Sequence, residues 1–142
     1  MQDFGVSNAL NLFLNENLGV IESISGEKKS GNLSGHGDEW ESRLTIKETH
    51  GEDPNKSTKV QVCCYVADVE DRGLASGFEL NLYQDGAKED WQIHSLLQAS
   101  AEEVEASLSE KYADFALNDD EKAKIREFIQ QCHPLFIKVQ RR

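Results

Sequence analysis

The chain has 142 residues and a formal net charge of −11, with 38% apolar and 29% charged side chains. That length buries a core without a disulfide or metal staple, and the balance is that of a folded chain rather than a disordered one. The apolar runs are far shorter than the roughly 20 residues of a membrane span, the first twenty residues lack a leader pattern, and three cysteines make an odd count for a disulfide framework; one soluble, cytoplasmic domain over 1–142 is the expectation.

The charge is uneven. Residues 66–121 hold fifteen Asp and Glu against Arg72, Lys88 and Lys111, whereas 122–142 hold six Lys and Arg against Glu127 alone. So acidic a body repels nucleic-acid phosphates and anionic membranes and favours a basic protein partner.

In chain order, residues 3–15 place Val6, Ala9, Leu10, Phe13 and Leu14 on one helical face, with Phe4 and Leu12 off it. This predicts an N-terminal helix packed on the core or offering some apolar surface to a partner. Residues 18–24 form a short apolar segment with strand character. GEKKSGNLSGHGD, residues 26–38, holds four of the ten glycines and reads as a loop, without the spacing of a phosphate-binding motif.

Residues 40–49 alternate Leu44 and Ile46 against Arg43, Thr45 and Lys47, as a half-exposed strand does. A turn follows, then KVQVCCYVADV, residues 59–69. Neighbouring side chains of a strand point to opposite faces, so Val60, Val62, Cys64 and Val66 share the core face and Cys63 lies on the other, beside Tyr65. A bridge between the two cysteines is disfavoured, because adjacent α-carbons are about 3.8 Å apart, below the usual disulfide range. Residues 68–77 read as a polar turn. GFELNLYQDG then alternates Phe78, Leu80 and Leu82 against Glu79, Asn81 and Tyr83 and closes on a hairpin signal. A last strand carries Gln92 and His94 on one face.

The C-terminal third reads as two helices. Ser100 and Glu103 open the first as a capping box; Asn118 and Glu121 open the second, with an acidic first turn that suits the helix dipole. Ile125, Phe128, Ile129 and Cys132 form its apolar stripe. Pro134 is expected to end it, leaving 135–140 as a final strand or extended arm. The fold class is therefore α+β: an N-terminal helix, an antiparallel meander of four to five strands, and two C-terminal helices packed on the sheet.

Candidate chemistry is sparse. Cys63, Cys132, His133, His94, His36 and His50 have no metal-ligand spacing, so no metal and no cofactor is expected. On the polar sheet face, Cys63 as nucleophile with His94 and Glu79 as an acid–base pair is the best enzymatic arrangement, and Tyr65, Tyr83, Asn81 and Gln92 are the candidate ligand contacts. A solvated outer face is the ordinary alternative. Glu102, Glu103, Glu105, Asp119 and Asp120 are the candidate partner contacts.

Function is expected to be that of a non-catalytic protein-binding module, an inhibitor, immunity protein or chaperone-like helper that holds a basic or apolar partner. The alternatives are a ligand-binding or enzymatic pocket around Tyr65, Tyr83 and His94, and an acidic mimic of nucleic acid.

Overall fold

The structure, a computed structural model, describes residues 1–33, 35–50, 52, 58–84, 87–93 and 117–141. Helices α1 (Asn8–Glu16) and α2 (Leu18–Ser23) precede five strands, β1 (Glu27–Gly31), β2 (Glu39–Thr49), β3 (Thr58–Val69), β4 (Gly73–Gln84) and β5 (Ala87–Ile93). Helix α3 (Asp119–Gln140) follows. The strands pair in sequence order, β1-β2-β3-β4-β5, each antiparallel to the next. The expected α+β meander is present. The helix expected over 100–116 lies outside the described residues.

Four boundaries differ from the sequence reading. Residues 18–23 are helical rather than extended. Asn17 is both the C-cap of α1 and the N-cap of α2, and its side-chain amide donates to the Phe13 carbonyl (2.8 Å), so the chain bends there and starts a second helix. Leu18, Ile21 and Ile24 then fall three residues apart and pack against the core. The fifth strand comes instead from the glycine-rich segment: EKKSG pairs with β2 although it has no apolar alternation, because an edge strand is held by its backbone ladder. Gly26 lets it start, with φ of +111° and a position where a Cβ would lie 2.7 Å from the Arg43 carbonyl oxygen. The polar turn before β4 shrinks to residues 70–72, with β3 running to Val69 and β4 starting at Gly73.

Helix α3 corrects the fourth boundary. It runs through Pro134 to Gln140, so 135–140 is neither strand nor arm. Proline removes one backbone donor, but Leu135, Phe136 and Val139 continue the stripe of Ile125, Phe128, Ile129 and Cys132, and all seven are buried. Burial of three further large side chains, about 1.5–3 kcal/mol each, outweighs the roughly 3 kcal/mol proline penalty. The N-terminus carries the full capping box, with Asn118 Oδ1 accepting from the Glu121 amide (2.8 Å) and Glu121 Oε1 from the Asn118 amide (2.9 Å).

The core lies between one sheet face and these helices. Trp40, Ile46, Val60, Val62, Cys64, Val66, Phe78 and Leu80 face Leu10, Phe13, Leu14, Ile21 and the α3 stripe. Ile46 keeps its inward place through a bulge, where the β2–β3 register steps from Thr45 to Lys47. Ser42 is buried on the same face and satisfied by donating to the Ser25 carbonyl (2.7 Å).

Candidate functional site

The opposite sheet face carries the residues singled out by alternation. Pairing sets Arg43, Cys63 and Glu79 side by side across β2, β3 and β4, with Glu41, Tyr65 and Gly77 in the neighbouring row. This face is not simply solvated: Cys63 and Asn81 are each 1% exposed and Gln61 is 9% exposed. Gln61 meets its polar requirement by donating to Thr45 Oγ1 (3.1 Å).

A cleft of about 400 Å³ opens on this face, lined by Glu39, Glu41, Cys63, Tyr65 and Glu79, with His36, Gly37 and the Ala67–Asp68–Val69 end of β3 at its rim. The rim is built by local geometry. The Asp68 amide donates to the Asp38 carbonyl (2.8 Å), and Gly37, at φ of +146°, comes so close that a Cβ would lie 2.8 Å from the Asp68 carbonyl oxygen. The Asp68 carboxylate is engaged elsewhere, accepting from Ser7 Oγ at the N-cap of α1 (2.5 Å). Tyr65 lies against Gly77, its partner across the ladder, where any side chain would overlap the phenol ring.

The electrostatics of the cleft are those of a carboxylate-rich wall. Glu41 Oε2 accepts from Cys63 Sγ (3.5 Å) and from Arg43 Nη2 (3.4 Å). Glu39 Oε1 is buried without a hydrogen-bond partner among the described residues. Burial, and next the Glu41 carboxylate, push the Cys63 thiol far above the ordinary range, and Arg43 does not reverse this. A thiol so held favours its protonated form, which is the less nucleophilic one. Burial and then Glu79 push Tyr65 up to about 12.

The structure thus brings Cys63, Tyr65 and Glu79 to one cleft and leaves Tyr83 two ladder rows away from Cys63. Asn81 is buried one row from the cleft, and Gln92 takes the register position opposite Glu79. His94, Glu102, Glu103 and Glu105 lie outside the described residues. Asp119 and Asp120 are exposed in the first turn of α3, at its positive dipole end. Cys132 sits in the core with Cys64, so it does not converge with Cys63.

Glu39 and Glu41 were missing from the sequence reading, and the rim residue His36 entered it only among the candidate metal ligands. Carrying the alternation of Arg43 back by two and four residues puts Glu41 and Glu39 on its face; His36 arrives through a loop that no local pattern places. A smaller groove of about 270 Å³ lies across Trp40, between Phe4, Leu18, Ile21 and Lys28. No family model, no curated protein and no solved structure matches the chain.

Proposed function

We propose that this chain is a non-catalytic protein-binding module whose cleft receives a basic side chain of a partner protein. One observation carries the reading: Glu39, Glu41 and Glu79 line a single concavity beside the ring of Tyr65. Carboxylates on a partly buried wall attract a cation more strongly than solvated ones do, and an aromatic ring adds a cation-binding surface. A planar guanidinium suits such a site better than an ammonium, because it bonds two carboxylate oxygens while stacking on a ring. The suppressed thiol of Cys63 supports binding rather than covalent chemistry.

The test is a titration of the full chain with acetyl-arginine amide, followed by amide chemical shifts at low ionic strength. Saturable shifts at Gly37, Tyr65 and Glu79 are expected, weakened by added salt, by Glu79→Gln, and by citrulline in place of arginine. Shifts spread over the acidic surface without saturation, or equal shifts with citrulline, would overturn the proposal. The same concavity favours a second reading, a small organic cation as ligand. It requires free tetramethylammonium to bind more tightly than an arginine peptide.

A further inference from the structure

Cys64 and Cys132 are both 0% exposed and belong to one core cluster, on the face of the sheet away from the cleft. Their positions follow from two separate contacts. Phe78 and Phe128 meet with ring centroids 6.1 Å apart, which fixes where α3 crosses β4. Cys64 is the register partner of Phe78 on the next strand. Cys132 is one helical turn beyond Phe128 on the same buried stripe. The four residues from Phe128 to Cys132 advance about 6 Å along the helix, close to the roughly 4.8 Å between neighbouring strands. Helix α3 also contacts β3 and β2, so with Phe128 over Phe78 the next turn brings Cys132 toward Cys64, and the Cys132 thiol is a near neighbour that acts on the Cys64 thiol.

We infer that Cys64 and Cys132 form an oxidation-sensitive pair that closes as a disulfide and staples α3 to the central strand. The oxidant is a hydroperoxide. One thiol, as its thiolate, attacks the peroxide O–O bond, becoming a sulfenic acid as the leaving oxygen takes up a proton and departs as water. The second thiol attacks the sulfenic sulfur, the S–S bond forms, and a second water leaves. Two thiols and one hydrogen peroxide thus give one disulfide and two waters. Both sulfurs are buried, so peroxide reaches them when α3 lifts from the sheet, and the reaction is slow in the native state. Cys63 takes no part, because alternation points it to the opposite face.

The experiment uses the full chain, treated with hydrogen peroxide, quenched with an alkylating agent and digested without reductant. The expected product is a monomer that has lost two hydrogens, with residues 60–72 linked to residues 127–138. Fragmentation between Cys63 and Cys64 should place the bridge on Cys64. The Cys63→Ala variant should form the same link, and Cys64→Ala should not. The link closes a loop of roughly 70 residues, so the unfolding equilibrium constant should fall by about a thousandfold and recover on reduction. A bridge through Cys63, oxidation of the separate thiols without a link, or a linked protein no harder to unfold would each overturn the inference.

Discussion

The contact between Tyr65 and Gly77 joins the fold to the cleft, and Gly77→Ala probes it directly. A Cβ at position 77 would lie 2.6 Å from Tyr65 Cε1 and closer still to the end of the phenol, against about 3.5–4.0 Å for a comfortable carbon pair. The ring must move by roughly an ångström or leave its place. Overpacking of this kind costs about 1–3 kcal/mol, offset by the roughly 0.5–1 kcal/mol that alanine gains over glycine in a strand. The net expectation is a loss of about 1–2 kcal/mol in urea unfolding. In a Tyr65→Ala background the clash is absent, and Gly77→Ala should be neutral or stabilising. The cycle therefore predicts a coupling of about 1–3 kcal/mol between the two positions. A second readout is the ultraviolet titration of the phenol. Displaced from burial beside Glu79, Tyr65 should ionise nearer to its ordinary value of 10 than to about 12. Equal cost of Gly77→Ala in both backgrounds, with an unmoved phenol titration, would refute the view that Tyr65 rests on Gly77.

Two further predictions follow from the same physics. Pro134 is exposed inside α3, so Pro134→Ala restores a backbone donor for the Gln130 carbonyl without opening a cavity. Helix propensity favours it by up to about 3 kcal/mol and the looser unfolded chain opposes by about 1, so urea unfolding should show a gain of about 1–2 kcal/mol; a loss would mean that proline sets the path of the last turns. For pH, the raised folded value of Tyr65 means that the folded state holds this proton more tightly. Its contribution is complete below pH 10 and is lost as pH rises through about 12. Urea midpoints of wild type should therefore fall more steeply between pH 10 and 12 than those of Tyr65→Phe, and parallel curves would contradict the assignment.

Legibility in the sequence followed the number of local signals at each residue. The fate of the cysteine pair was readable because alternation is a local property of an extended chain: Cys64 had to share a face with Val60, Val62 and Val66. The capping box at Asn118 was readable for the same reason. Pro134 misled because its local cost is plain, whereas the compensating burial of Leu135, Phe136 and Val139 depends on where α3 meets the sheet. Residues 18–24 misled because a short apolar run fits a strand as well as a buried helix; only the bend at Asn17 and the packing of Ile21 and Ile24 decide between them.

By itself, the sequence determined the α+β class, the order of four of the five strands of the meander, the two faces of β3, and the acidity of the chain. Each of these rests on period, cap or composition, which act within a few residues. Tertiary structure alone decided that β1 forms at all, since EKKSG is held by its pairing with β2. It also decided that Glu39, Glu41 and Glu79 meet around Tyr65, and that Cys64 lies beneath Cys132. Those juxtapositions depend on ladder register and on the crossing of α3 over the sheet, and both are set by contacts between residues distant in the chain.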